Sequence, residues 1–182
     1  FRDNGNFNKV FWNGEIYELD VWHDRYVYSA GTDIVAFNDP INGTFAIFEK
    51  GQFLDVENFR MNSYKAGRGF VVYENVNNDL MIYQNGATKK LTNFGADFYE
   101  VKDDVVIWTE NGFTYGYANG EKFELAKFRV KEFELKNNVI VFKNIIGGVD
   151  ALIDGKLKTL STLMNVNFKI YGNAVLLESF NQ

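Results

Sequence analysis

A two-residue turn signal recurs five times along the chain, and it limits the fold more than any other feature. The signal occurs at Asn13-Gly14, Lys50-Gly51, Asn85-Gly86, Asn119-Gly120 and Asp154-Gly155. Successive copies are separated by 37, 35, 34 and 35 residues. Asn-Gly and its near equivalents favour the positive φ angles of a type I′ hairpin turn. A period of this length indicates an array of similar supersecondary units.

Each unit also contains a short and strongly apolar run bounded by turn residues. The runs are Ile34 to Phe37, Phe70 to Tyr73, Val105 to Trp108, Val139 to Phe142 and Ala174 to Leu177. Such runs are typical of strands buried on both faces. We therefore predict four antiparallel strands per unit, named A to D, with the turn signal joining C to D. A unit of this size cannot bury both of its faces alone, so radial stacking as propeller blades is favoured.

The two ends of the chain predict how the stack closes. Residues Asn6 to Leu19 contain strands C and D, whereas Asn167 to Glu178 contain strands A and B. Together they make one further blade, which predicts an all-β, five-bladed β-propeller with a single domain over 1–182. The predicted blades are 26–56, 62–91, 97–125, 131–160, and 166–182 joined with 1–19. The alternatives are a larger propeller seen in part and a stacked β-solenoid.

The composition excludes several classes of protein and of binding partner. Hydrophobic residues make up 46% of the chain and aromatic residues 17%, which predicts a folded chain with a sizeable core. The net charge of −5 argues against a nucleic-acid partner, which would require clustered Lys and Arg. With no cysteine, disulfides and thiolate metal sites are ruled out. No apolar run reaches the roughly 20 residues of a membrane span, so we expect no direct membrane insertion.

Catalytic residues are hard to find in this sequence. His23 is the single histidine, so a site with two His ligands cannot be built. Glu100 and Glu134 occupy equivalent strand A positions, but Lys65 and Lys169 occupy the same position in other blades. We interpret these charges as structural and predict that the protein is not an enzyme, with no catalytic residue, cofactor or metal.

The loops give the best candidates for binding. In propellers the D to A and B to C connections share one face of the molecule, which is commonly the working one. Candidate partner-binding residues on these loops are His23, Arg25, Ile41, Arg60, Met61, Val76, Arg129, Ile145, Ile146 and Met164. Aliphatic and Met side chains interleaved with Arg are typical of protein-binding surfaces. One aligned position of the D to A loops is instead interpreted as inter-blade core: Trp22, Phe59, Phe94, Phe128 and Leu163.

A family resemblance adds to this interpretation. The pattern Gly-x-Asp-Ile-Val-Ala-Phe, then Gly-x-Phe-x-x-Phe and Gly-x-x-x-x-Val, runs from Gly31 to Val56. It resembles the degenerate propeller repeats of proteins exported by Bacteroidetes, and it is similar to WD40-like and TolB-like propellers in strand order. The Trp-Asp dipeptide of true WD40 blades does not occur. The resemblance implies a periplasmic or extracellular partner of a larger assembly, such as a plug or accessory subunit of the type IX secretion translocon.

Two functions follow from these observations. The first is a non-enzymatic module that binds a protein partner through the loop face. The alternative is a lectin-like carbohydrate-binding propeller, and the sequence leaves a sugar or small-molecule ligand open. A lectin of this kind would repeat near-identical pockets around the ring, whereas the loops here diverge more than the strands do. Divergent loops favour one asymmetric protein partner.

Overall fold

The computed structural model describes residues 1–22 and 28–179, and every helix or strand assigned in them is a β-strand. In chain order the strands are β1 (Phe7–Trp12), β2 (Glu15–Trp22), β3 (Tyr28–Ala30), β4 (Ile34–Asn38), β5 (Phe45–Glu49), β6 (Gln52–Glu57), β7 (Tyr64–Ala66), β8 (Phe70–Glu74), β9 (Leu80–Gln84), β10 (Ala87–Lys90), β11 (Phe98–Lys102), β12 (Val105–Glu110), β13 (Phe113–Ala118), β14 (Glu121–Ala126), β15 (Phe133–Lys136), β16 (Val139–Lys143), β17 (Val149–Ile153), β18 (Lys156–Ser161), β19 (Val166–Tyr171) and β20 (Ala174–Ser179). In these described ranges no helix is long and apolar enough to cross a membrane.

Four antiparallel sheets of four strands repeat along the chain. They are β3 to β6, β7 to β10, β11 to β14 and β15 to β18, each with its strands hydrogen-bonded in chain order. Both central residues of every C to D turn have positive φ, for example 53° at Asn119 and 83° at Gly120. The predicted hairpin turns and four-stranded antiparallel units are therefore confirmed.

The chain divides into two compact units, Phe1–Leu91 and Thr92–Gln182. In the first unit the β1–β2 hairpin packs on the β3–β6 sheet through Leu19, Val21 and Phe48. The same sheet packs on β7–β10 through a second cluster that includes Phe45 and Tyr73. The apolar strands B and C therefore supply the layers of the core, as their sequence pattern predicts.

The second unit repeats this arrangement. Sheet β11–β14 packs on β15–β18 through a cluster that includes Ile107, Ile140 and Phe142. The opposite face of β15–β18 packs on the β19–β20 hairpin, where Val141 and Ile170 are both buried. Each four-stranded sheet of this unit thus lies against a neighbouring sheet built from the same repeat.

The chain segments that follow β3 and β7 approach each other closely in the first unit. Thr32 and Arg68 form a parallel bridge, and the Gly69 N–H donates to the Thr32 carbonyl at 3.0 Å. A Cβ atom on Gly31 would overlap the backbone carbonyl of Gly67. This is a place where the fold needs glycine for a close backbone approach and not for a turn.

The predicted closure of the ring is not confirmed, because no closed sheet is seen in the described ranges. Strands β1 and β2 form a two-stranded sheet, and β19 and β20 form another. Each hairpin packs one face on its own neighbour, β3–β6 or β15–β18. Complementary sequence patterns specify which strands a half-blade lacks, but they do not specify which polypeptide segment supplies them.

Candidate functional site

The B to C and D to A loops meet at one end of each sheet. In the first unit the Arg60 guanidinium of a D to A loop donates to the Pro40 carbonyl of a B to C loop at 3.2 Å. In the second unit the B to C loop lies against the D to A loop, because a Cβ on Gly147 would be 3.4 Å from Met164 Cγ. Side chains on the two kinds of loop are therefore neighbours, as the sequence analysis assumed.

Polar side chains at the sheet ends fix the backbone of the D to A loops. Asn38 accepts from the Met61 N–H at 2.9 Å and donates to the Met61 carbonyl at 2.8 Å. Thr114 Oγ1 donates to the Phe128 carbonyl at 2.7 Å and accepts from the Val130 N–H at 2.9 Å. These contacts satisfy backbone groups that strand pairing leaves free at the loop.

Glu110 makes the third contact of this kind. Its carboxylate, buried at the end of β12, accepts from the N–H groups of Asn93 at 2.5 Å and Phe94 at 3.0 Å. The second oxygen lies 3.5 Å from Trp108 Nε1 and 3.6 Å from Lys122 Nζ. A single buried carboxylate thus joins a loop to the core of the sheet that follows it.

Exposed aliphatic side chains are concentrated on the loops of the β15–β18 sheet. Ile145 and Ile146 lie on its B to C loop, and Leu163 and Met164 lie on the D to A loop that leaves it. Ile145 is 77% exposed although it is a large apolar residue. These four residues are called the second-unit loop patch. Arg129 is exposed on the D to A loop that enters the same sheet.

The first unit carries a smaller set of exposed apolar loop residues, which are Ile41, Phe59 and Val76. Asp39 orders the loop that presents Ile41, because its carboxylate accepts from the N–H groups of Ile41 at 2.7 Å and Asn42 at 3.1 Å. Partial burial acts to raise the pKa of the Asp39 carboxyl, but these hydrogen bonds outweigh burial and hold the pKa below its usual value.

Asp39→Ala is expected to loosen this loop without unfolding the sheet. Losing the charge-assisted hydrogen bonds should cost about 1 kcal/mol locally, which is roughly a fivefold faster hydrogen exchange at the Ile41 and Asn42 amides. Amide exchange measured by NMR tests this.

Asp39→Asn is the matched variant, because it keeps an acceptor oxygen but cannot titrate. A carboxyl whose pKa is lowered on folding stabilises the loop above its unfolded value, and that contribution is lost as the pH falls through the folded value. Below a pH of about 4 the protection of Ile41 should fall in the wild type and stay level in Asp39→Asn. Equal pH dependence in both proteins would contradict this role.

The structure exposes most of the loop residues predicted from the sequence. The exposed ones are Ile41, Arg60, Val76, Arg129, Ile145, Ile146 and Met164, whereas His23 and Arg25 lie outside the described residues. Met61 requires a correction, because its side chain is buried in the core between β3–β6 and β7–β10. It packs inward because Asn38 holds its backbone at the end of β4.

The predicted core environment of the aligned D to A loop position is wrong at Phe59, Phe94 and Leu163, and the Trp22 side chain lies outside the described residues. Phe94 is 81% exposed, and Phe59 and Leu163 are also exposed, while Phe128 is only half-buried. In two of these loops the core position lies two residues later, at Met61 and Val130. The polar Asn-Phe-Gly setting of Phe94 is the signal in the sequence that could have shown it to be a loop residue.

Glu134, one of the two strand A carboxylates considered for catalysis, makes a structural contact. Glu134 accepts from the Ile170 N–H of the next inner strand at 3.0 Å, and Ser29 accepts from the Ala66 N–H at 2.9 Å in the other unit. Over the part of the chain that the structure describes, no cluster of three His, Cys, Asp or Glu side chains is placed to hold a metal ion.

Known propellers provide the comparison for this fold. Yeast RCC1 (Prp20), in a structure bound to Kap60, aligns with a TM-score of 0.52 at 9% identity, covering 90% of this chain and 56% of that chain. Human WBSCR16 aligns with a TM-score of 0.51 at 10% identity, covering 76% of this chain and 50% of that one. The chain thus spans about half the length of these structures, and at such identities the likeness shows the fold alone.

Comparison of the sequence with known families identifies the family of the chain, which the structural neighbours do not. No curated protein resembles the chain closely enough to count as a relative. The model of the family described as "10-bladed beta propeller domain" matches residues 1–182, and that description names ten blades where the sequence analysis predicted five. The chain, matched over its whole length, belongs to the 10-bladed beta propeller domain family.

Proposed function

We propose that this protein is a non-enzymatic interaction module that binds a protein partner through its loops. The observation that carries the proposal is the second-unit loop patch, in which four aliphatic or Met side chains on two adjoining loops are exposed together. Surface Leu and Ile occurring singly need no explanation, but contiguous apolar patches mark interaction sites. Met adapts its shape to a partner surface, and Arg129 is an exposed positive charge on another loop of the same unit.

The loops are also prepared for binding. In the loops of the patch, the Asn144 side-chain oxygen accepts from the Ile146 N–H at 3.2 Å, and Ser161 Oγ accepts from the Leu163 N–H at 3.1 Å. A loop that is ordered before the partner arrives loses less conformational freedom on binding. The arrangement therefore favours a surface of fixed shape over a loop that folds around its ligand.

Yeast RCC1 (Prp20), which is similar to this chain in fold, is seen in a structure bound to Kap60. We propose that the partner of this chain belongs to a larger secretion or envelope assembly, in the periplasm or outside the cell. The resemblance of the Gly31 to Val56 repeat to exported propellers supports this narrower proposal.

Affinity capture with a double variant tests the function. Ile145→Asp combined with Met164→Asp places two charges in the patch, and desolvating them against an apolar partner should weaken binding at least about a hundredfold. An envelope extract of the native host is passed over immobilised wild-type and variant chains, and the bound proteins are quantified by mass spectrometry. We expect at least one protein to be retained by the wild type and lost from the variant.

Leu157→Asp is the control, because Leu157 is also an exposed apolar residue but lies on β18 next to the C to D turn, away from the loops. It should retain the partner, and both variants should keep the wild-type thermal transition. Equal retention by all three proteins would contradict the proposal. Binding to several sugars on a glycan array, unaffected by the double variant, would favour the lectin-like alternative.

A further inference from the structure

A small cavity in the first unit is lined by residues of both the β1–β2 hairpin and the β3–β6 sheet, and its volume is about 250 Å³. Leu19 of the hairpin and Phe37 and Ala46 of the sheet form its buried apolar floor. The volume is below the roughly 300–1,000 Å³ of cavities that hold a drug-sized ligand. The cavity is therefore suited to a single side chain or to a molecule of similar size.

Phe53 adds an aromatic surface to this cavity. Its ring makes T-shaped contacts with Phe37 and Phe48, at 6.1 Å and 5.1 Å between ring centroids. The side chain is nevertheless 46% exposed. The ring is thus held in place by its neighbours and keeps a surface that a ligand can cover. Such a surface attracts apolar groups and, at a ring face, cations as well.

Three carboxylates surround the apolar floor. They belong to Glu18, Asp39 and Asp55, which are all more exposed than the floor residues, and no Lys or Arg is among the described residues that line the cavity. A Lys or Arg side chain combines an apolar methylene stem with a charged head group. The cavity offers a complementary surface to each of these two parts.

Two cations of the chain lie near these carboxylates and leave negative charge in excess. Lys9 Nζ lies 2.8 Å from Glu18 Oε1 but also 3.2 Å from Asp3 Oδ2, so one cation is shared by two carboxylates. Arg60 reaches the loop of Asp39, where its guanidinium donates to a backbone carbonyl at 3.2 Å. A further positive charge would therefore be attracted to the cavity.

Asp55 is the carboxylate best placed to receive that charge. Its Oδ1 accepts from Thr44 Oγ1 at 2.6 Å, which fixes the direction of the side chain. Over residues 1–22 and 28–179 its Oδ2 has no hydrogen-bond partner, and the carboxylate takes part in no ion pair. An oriented carboxylate with one oxygen available can accept a charge-assisted hydrogen bond from an ammonium or guanidinium group.

We propose that this cavity binds one positively charged side chain, Lys or Arg, of a peptide or protein partner. The methylene stem lies on the apolar floor and against Phe53, and the head group pairs with Asp39 and Asp55. All of these residues belong to the first unit, so the proposal goes beyond the proposed function and does not depend on the second-unit loop patch.

Titration with N-acetyl-lysine methylamide, followed through the backbone amide NMR signals of the protein, tests this site. We expect saturable shifts at the lining residues Ile41, Asn42 and Ala46, with a Kd of about 1 mM, because one side chain supplies few contacts. The arginine analogue should bind with similar affinity. N-acetyl-norleucine methylamide has an uncharged stem and should bind at least about tenfold more weakly.

Asp39→Asn combined with Asp55→Asn removes two charges and keeps an acceptor oxygen for the loop amides and for Thr44. The lysine probe should bind this double variant about tenfold more weakly, because each exposed ion pair contributes a factor of a few. Glu124→Gln is the matched control, since Glu124 lies four residues after its turn glycine, as Asp55 does, but on β14 of the second unit. It should leave the Kd unchanged, and all variants should keep the wild-type thermal transition.

Four results would overturn the proposal. Equal affinity for the lysine and norleucine probes would show that the charge is not recognised, and unchanged lysine binding by the double variant would show that these carboxylates do not recognise it. No shift at the three amides with up to about 50 mM probe would exclude the site. Stronger shifts of the same amides by methyl glucoside would assign the cavity to a sugar. The capture experiment with Ile145 and Met164 tests the proposed function separately.

Discussion

Gly31→Ala is expected to destabilise the first unit by about 3 kcal/mol. The added methyl group would overlap the backbone carbonyl of Gly67, which cannot swing aside as a flexible side chain could. The segments that follow β3 and β7 would have to separate, and that would strain the Thr32 to Arg68 bridge and the Gly69 hydrogen bond. Urea unfolding at 25 °C measures the change, and the thermal midpoint should fall by about 6–12 °C.

Gly5→Ala is the matched control for this prediction. A Cβ on Gly5 would meet the Phe7 ring at 3.3 Å and the Asp3 carboxylate at 3.4 Å, both of which are side chains that can move. We expect its effect to stay within about 0.5 kcal/mol. An effect of Gly31→Ala as small as that of Gly5→Ala would contradict the close contact between the segments that follow β3 and β7.

Glu110→Ala is expected to cost about 3 kcal/mol and to release the loop that presents Phe94. The change leaves the N–H groups of Asn93 and Phe94 without their carboxylate acceptor. It also removes the negative partner of Lys122, whose ammonium lies 5.3 Å from the Trp108 ring. Stability is measured by urea unfolding, and loop order by hydrogen exchange at the Phe94 amide.

Two comparisons identify the cause of the Glu110 effect. Glu110→Gln keeps one acceptor oxygen and removes the charge, so it should cost less than Glu110→Ala and preserve more protection at Phe94. Removing an exposed glutamate by Glu121→Ala should change stability by less than about 0.5 kcal/mol. A loss confined to global stability, with normal protection at Phe94, would show that Glu110 supports the core without ordering the loop.

The strands were the most predictable part of the molecule. The C to D turns require positive φ at two successive residues, and Asn-Gly or Asp-Gly in the sequence directly indicates such a turn. The apolar B strands were equally clear, because a strand buried on both faces needs apolar residues at every position. Both signals are local, so a single sequence is enough to read them.

The loops and the ring closure depended on information that is not local. Phe94 and Val130 are both apolar residues in D to A loops, yet Phe94 is exposed and Val130 is buried, and the N–H of each donates to a side chain distant in sequence, Glu110 or Thr114. Closure depends on which segment supplies the strands that a half-blade lacks, and every copy of a repeat offers suitable strands. Repetition made the blade easy to recognise and the blade count hard to predict.

The contacts made by Asn38, Glu110 and Thr114 share a property that bears on how such a surface can change. Each acts on N–H or C=O groups of the loop main chain, which all residues except proline provide in full. The side chains between these anchor points are therefore free to be exchanged without altering the course of the loop. A scaffold of this kind can acquire a new specificity by residue replacement alone, and libraries randomised at the exposed positions 59, 94 and 129, on the loops that these three side chains hold, are a direct way to exploit it.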